Sequence, residues 1–205
     1  MSFKGWDDRV RRALEVELDY DHRRLQPELQ DVGARLSAVL LLLRPLDESD
    51  AALVLTKRSE QLEQHRGQIA FPGGVTEPGD LAFSPAYHLT ALREAEEEIG
   101  LPRERVEIIG ELPELRTPTR FLVNPVVGLL RPPFEEPLLR PNPVEIAEIF
   151  WVSLSQLTAP GVYRLEQMTF QGRSVGVHVY QVGPHRIWGA TGAMIHNFLQ
   201  RLFVI

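Results

Sequence analysis

The sequence predicts an α+β domain in which a mixed sheet lies between helical layers, an α/β/α sandwich. Three observations predict it. Short apolar runs of β-compatible length alternate with a few segments of helical periodicity. Pro, Gly, Asp and Ser punctuate the boundaries between them. Hydrophobic residues make up 43% of the 205 positions, enough to fill a core of ordinary domain size.

Trp6 to Leu18 is expected to form an amphipathic helix, with Val10, Leu14 and Leu18 on one face. Asp19 to Asp31 is polar and reads as a loop. These segments define an N-terminal helical extension, residues 1–31, packed on a main domain of residues 32–205. Arg35–Leu43 and Ala51–Lys57 are strands separated by a turn at Pro45 to Asp50. Gln68–Phe71 is a short strand stopped by Pro72. Val106–Leu112, Phe121–Leu130 and Ala147–Val152 are strands, the last followed by a helical turn near Ser153 to Leu157. Tyr163–Phe170 and Ser174–Val182 form a hairpin about Gln171, Gly172 and Arg173. Thr191–Phe203 is a closing helix that buries Met194, Ile195, Phe198, Leu199 and Leu202. Trp151 and Trp188 are read as core residues.

The helix from Ala86 to Ile99 carries the chemistry. It lacks Gly and Pro inside and is rich in Ala, Leu and Glu. Ser84 is a candidate cap with Pro85 in the first helical position. Gly100 suits a left-handed cap, and Pro102 blocks continuation. Leu92, Ala95 and Ile99 are the expected buried stripe. Glu94, Glu97 and Glu98 fall near one face, where like charges cost a few tenths of a kcal/mol per pair. They also crowd a helix C-terminus, where negative charge is unfavourable. A divalent cation with oxygen ligands removes both penalties. A solvated acidic face is the plainer alternative. Glu96 points elsewhere and is expected to be solvated.

Composition narrows the rest. The formal net charge is −6, which argues against a nucleic-acid surface. Positive charge is concentrated at Lys57, Arg58 and Arg66, fitting a local anion site. No cysteine is present, which excludes disulfides, thiolate ligands and a Cys nucleophile. The longest apolar run, Ala38 to Leu43, is too short to span a membrane. The charged N-terminus has no hydrophobic signal core, so a cytoplasmic location is the expectation.

Arg93-Glu94-Ala95-Glu96-Glu97-Glu98-Ile99-Gly100-Leu101 resembles the second half of the Nudix box, Arg-Glu-hydrophobic-x-Glu-Glu-x-Gly-hydrophobic, at every fixed position. The first half matches poorly. Eighteen residues separate Gly74 from Arg93 where the pattern has thirteen, which implies a five-residue insertion around Pro78 to Pro85. The box's first Glu has no clear counterpart; Glu77 and Asp80 are the weak candidates. Leu81, Phe83 and Tyr87 in and after the insertion could form a flap over the substrate.

Upstream, Leu55-Thr56-Lys57-Arg58-Ser59, His65, Gly67 and Phe71-Pro72-Gly73-Gly74 resemble the extra motif of the coenzyme A pyrophosphatase subfamily. Leu62 and Glu63 depart from it, standing for Met and Arg. The resemblance implies the Nudix fold, a mixed central sheet flanked by helices. It implies Mg2+ or Mn2+ held by Glu94, Glu97 and Glu98 with the backbone at Gly74. Glu97, Arg93 and Glu145 become the candidates for the catalytic machinery, with Glu148 an alternative to Glu145 and Arg93 the orienter of Glu97. Arg58, His65, Lys57, Arg66 and Gly73 become candidates for substrate binding. The implied substrate is a small molecule, coenzyme A or its thioesters. Another nucleoside diphosphate derivative, such as an ADP-sugar or dinucleotide, and a non-catalytic nucleotide-binding module stay open, as does a homodimer.

Overall fold

A computed structural model describes residues 4–16, 18, 33–63, 65–133, 139–170 and 172–203. Among them the chain forms four α-helices and eleven strands: α1 Lys4–Glu15, β1 Arg35–Pro45, β2 Ala51–Arg58, β3 Ile69–Ala70, β4 Gly73–Val75, α2 Ala86–Ile99, β5 Val106–Glu111, β6 Leu115–Arg116, β7 Phe121–Leu130, β8 Ile146–Ser153, α3 Leu154–Leu157, β9 Tyr163–Phe170, β10 Arg173–Val182, β11 His185–Ile187 and α4 Gly189–Phe203.

β1 is the spine of the main sheet. It runs parallel to β7, with Arg35 beside Phe121 and Leu43 beside Leu129, and antiparallel to β2 and β4. β5 and β6 pair with β7, and β3 and β8 pair with β2, so the sheet is mixed. β9, β10 and β11 form a separate antiparallel sheet.

Strand alternation sends successive β1 side chains to opposite faces. Ala38, Leu40 and Leu42 pack with Ala91, Ala95 and Ile99 of α2 on one side. Leu41 and Leu43 join Trp6, Val10, Ala13, Ile195 and Phe198 of α1 and α4 on the other. This is the sandwich expected from the sequence.

Several details differ. α1 ends at Glu15, and its buried face is Trp6, Val10 and Ala13, with Leu14 only half-buried. In α2 the buried stripe is Ala91, Ala95 and Ile99, spaced by four, while Leu92 is half-buried. Pro85, not Ser84, occupies the cap position of α2, and no side chain caps it. Gly100 ends α2 in the left-handed conformation at φ 64°, as expected. Ser153 and Gln156 form a reciprocal capping box on α3. Trp151 and Trp188 are half-buried beneath Arg44 and Arg186 respectively. The polar segment at 19–31, expected to be a loop of the N-terminal extension, lies outside the described residues.

Candidate active site

The Gly73–Gly74 turn brings the site to the sheet. These glycines form β4 by pairing with Val39 and Ala38. A Cβ on Gly74 would sit 2.4 Å from the Glu94 carboxyl carbon, so its absence makes the cradle in which that carboxylate lies. Gly73 N donates to Glu98 Oε2 at 3.0 Å. Glu98 Oε1 faces Arg58 Nη1 at 3.4 Å. Arg58 is the last residue of β2, paired with Ile146 of β8, and Ser59 N donates to the Glu145 carbonyl at 2.8 Å.

Burial dominates the electrostatics. Glu98 is 2% exposed, and its pKa is pushed up to about 8. Desolvation is the main cause; the Gly73 amide and Arg58 oppose it, and the charges of Glu94 and Glu145 add to it. Glu94 is raised by burial, against the pull of Arg93, with Glu97 and Glu145 raising it further. Three carboxylates, Glu94, Glu98 and Glu145, therefore act on one another here.

Arg93 organises the opposite side. Its Nε and Nη2 donate to Asp80 Oδ1 and Oδ2 at 3.2 and 3.1 Å, and Nη2 also reaches the Val75 carbonyl at 2.9 Å. Nη2 lies 3.0 Å from Glu94 Oε1, and Nη1 donates to Glu97 Oε2 at 2.9 Å. Asp80 is 2% exposed. Desolvation would raise its pKa, but hydrogen bonds from Arg93, Glu77 N and Thr90 outweigh it, and the Arg93 charge adds to them, so it lies below the usual carboxylate range.

Asp80, in sequence only a weak candidate for the box's first acidic position, occupies that place in the structure. It stands five intervening residues after Gly74, the spacing the box gives to its first Glu, and it makes the buried pair with the box arginine. Glu77 contributes backbone: its amide donates to Asp80 Oδ2 and its carbonyl accepts from Asp80 N, each at 3.0 Å. The extra residues therefore fall between Asp80 and α2. Leu81 and Phe83 there are exposed, whereas Tyr87 packs against the α2 core and donates its hydroxyl to Glu111 at 2.9 Å.

The other candidates are dispersed. Glu97 is exposed apart from its bond to Arg93. Glu96 is partly exposed and pairs with Arg103 at the surface. Lys57 Nζ is 3.9 Å from Glu60. Arg66 is exposed, and its Nε donates to the Leu62 carbonyl within its own loop. His65 lines a separate open cleft with Arg35, Thr119 and Phe121. Glu148 lies 3.4 Å from His185.

No cluster of three metal-ligating side chains is pre-assembled among the described residues. The donor set nevertheless fits a hard divalent cation: oxygen donors only, on carboxylates whose pKa is raised chiefly by burial and further by one another's charge, beside a turn cleared of side chains.

A helix bearing Arg-Glu-x-x-Glu-Glu, packed under a mixed sheet against a Gly-Gly turn, defines a Nudix protein, and residues 34–171 match the NUDIX domain family. The chain belongs to that family. It is 39% identical to the Nudix hydrolase NudL of Photorhabdus laumondii over 170 residues, covering 83% of this chain and 86% of the relative. It is 33% identical to NudL of Escherichia coli O139:H28 over 194 residues, covering 92% and 96%. The fold matches a MutT/nudix family protein from Enterococcus faecalis with a TM-score of 0.55 at 19% identity, covering 98% of this chain and 74% of that one. It is a Nudix hydrolase, and Nudix hydrolases generally use divalent cations on small-molecule substrates. Among the described residues no helix is long and apolar enough to cross a membrane.

Proposed function

We propose that this Nudix hydrolase cleaves the diphosphate of coenzyme A or its thioesters, giving 3′,5′-ADP and 4′-phosphopantetheine or its acylated form. The observation that carries the reading is Arg58, a residue of the upstream motif, lying against Glu98 of the box. The two sequence devices thus meet in one site, a phosphate-seeking cation beside cation-seeking carboxylates.

Glu94 and Glu98, with backbone oxygen at Gly74 and with Glu97 adjacent, would hold Mg2+ or Mn2+; bound there, the ion screens the diphosphate charge and acidifies water. Arg58 Nε is buried without a hydrogen-bond partner among the described residues, and it serves a phosphate oxygen. Arg93 is a positioning residue that fixes Glu94 and Glu97 while Asp80 fixes Arg93. Water attacks one phosphorus, the bond to the bridging oxygen breaks, and the bridging oxygen leaves with the other phosphate. Glu145 takes the proton: it is half-buried, and its carboxylate has no cation partner among the described residues.

The test offers the purified protein coenzyme A, ADP-ribose and diadenosine polyphosphates, with Mg2+ and then Mn2+, and resolves the products by chromatography. Preferential release of 3′,5′-ADP from coenzyme A is expected, and E98Q should abolish it. Preferential cleavage of another compound would replace the substrate assignment. Absence of metal-dependent turnover in the wild type would overturn the enzymatic reading.

A further inference from the structure

The cleft holding His65 is distinct from the carboxylate site, and its residues form a coherent set. Its volume is about 510 Å³, and Arg35, His65, Thr119 and Phe121 line it. Arg35 and Phe121 are side by side in the parallel register of β1 and β7, and the guanidinium carbon lies 5.0 Å from the phenyl centroid. Arg35 has no carboxylate partner among the described residues, in a chain whose acidic residues outnumber Lys and Arg by 28 to 22. An exposed arginine stacked on an aromatic ring and left without an anion is suited to bind one.

Backbone conformation singles out the same place. His65 and Arg120 are the non-glycine residues with positive φ among the described residues, at 57° and 63°. One lines the cleft, and the other sits between its lining residues Thr119 and Phe121. Such conformations cost about 1 kcal/mol or more and cluster at ligand sites. At His65 the strained turn also places Nδ1 2.9 Å from Gln68 Oε1, which leaves Nε2 as the ring nitrogen for a ligand.

The cleft lies within reach of the reaction. Ala38 pairs with Gly74, and Arg35 is three residues back along β1, about 10 Å at the strand rise. That is the span of a single nucleotide reaching away from a diphosphate held at the Gly73–Gly74 turn.

We infer that this cleft is the nucleotide subsite: Phe121 stacks the base, and Arg35, with His65 and Arg120 beside it, reads a phosphate on the ribose distinct from the diphosphate. The identity of that group as the 3′-phosphate rests on the coenzyme A reading. The cleft thereby distinguishes coenzyme A from its 3′-dephosphorylated form. Arg35 and Phe121 are specificity-determining residues, and neither takes part in bond cleavage.

Titration calorimetry with 3′,5′-ADP and 5′-AMP tests this without turnover. The wild type should bind 3′,5′-ADP at least tenfold more tightly; R35Q should erase that preference without weakening 5′-AMP, R35K should retain part of it, and F121A should weaken both ligands. In kinetics, R35Q should raise KM for coenzyme A about tenfold and leave kcat, and both constants for 3′-dephospho-coenzyme A, unchanged. Equal wild-type affinity for the two nucleotides, or an R35Q loss of equal size on both, would overturn the inference. Should the wild type fail to hydrolyse coenzyme A yet show an Arg35-dependent preference for 3′,5′-ADP, the substrate reading falls and the subsite stands.

Discussion

Asp80 and Arg93 form a two-point buried ion pair across thirteen residues of sequence, at 3.1 and 3.2 Å. The pair ties the loop after Gly74 to the middle of α2, and through Arg93 it sets Glu94 and Glu97. Neutralising Asp80 weakens a two-point, charge-assisted hydrogen bond to a guanidinium that Glu94 and Glu97 still partner, at a cost of about 2–3 kcal/mol. D80N should therefore lower Tm by roughly 5–10 °C in a chain of this size and reduce kcat together with stability. D80E keeps the charge and should lose markedly less of both. Thermal unfolding and steady-state kinetics on the two variants make the comparison; equal losses in D80N and D80E would show that side-chain length, not charge, is what matters.

Neighbouring glycines should fail in different ways. A Cβ on Gly73 would lie 2.3 Å from the Ala38 carbonyl oxygen, which is backbone in the central strand and cannot yield. For a Cβ on Gly74 the three nearest atoms all belong to the Glu94 carboxylate, the end of a flexible side chain. G73A should lose roughly 2–4 kcal/mol of stability through overpacking and local rearrangement. G74A should unfold near the wild-type temperature but lose on the order of a hundredfold in activity, because Glu94 is displaced. Parallel melting curves and rates check both, and a cold-unfolding G74A would contradict the cradle.

Much of the fold is legible in the sequence because long elements advertise their period. β1, β7 and α4 have apolar residues at the expected spacing over nine or more positions, and Gly100 marks the end of α2 by a left-handed conformation that other residues adopt only at a cost. β4, β6 and β11 are not legible. They are two or three residues long, and β4 consists largely of glycine, so only pairing with β1 makes it a strand. In the site, the carboxylates of α2 are visible from helical spacing. Asp80 was obscured by the residues inserted after it, although its distance from Gly74 was an available signal. Arg35 and Phe121 gave no local pattern at all: they meet because a parallel register joins segments 86 residues apart.

Glu98 makes metal binding and stability depend on pH in opposite senses. Its folded pKa of about 8 lies above the ordinary 4.5 of a glutamate, so the fold without metal takes up a proton that the unfolded chain does not hold. That stabilisation is complete below about pH 4.5 and is lost as pH rises through 8. Metal requires the carboxylate, so apparent Mg2+ affinity should fall up to about tenfold for each unit below pH 8. Chelator-treated wild type should melt at lower temperature at pH 8 than at pH 6, while E98Q shows a much smaller difference. Excess Mg2+ should restore the wild type at pH 8 and leave E98Q unaffected. A chelated wild type with pH-independent melting across this range would contradict the assignment.

His178 and His196 supply the acid-side counterpart. Their rings stack at 3.9 Å between β10 and α4, with Tyr163 Oη 3.1 Å from His178 Nδ1 and Tyr180 Oη 3.3 Å from His196 Nδ1. Burial, with the second imidazole adding to it, pushes His178 down to about 4, and burial lowers His196 as well. A folded pKa below the ordinary 6.5 means that the unfolded chain binds the extra proton. The stability from His178 is therefore complete above pH 6.5 and lost as pH falls towards 4, amounting to about 3 kcal/mol at most. H178F keeps the stack on His196 and cannot be protonated; Tyr163 is exposed enough for water to replace its partner. Urea unfolding of wild type and H178F between pH 4 and 7 should show a shallower acid decline in the variant. Identical slopes would mean that the acid sensitivity between pH 4 and 7 arises from groups other than His178; the buried Asp80 carboxylate, whose pKa is depressed, loses its contribution only below the unfolded carboxylate value.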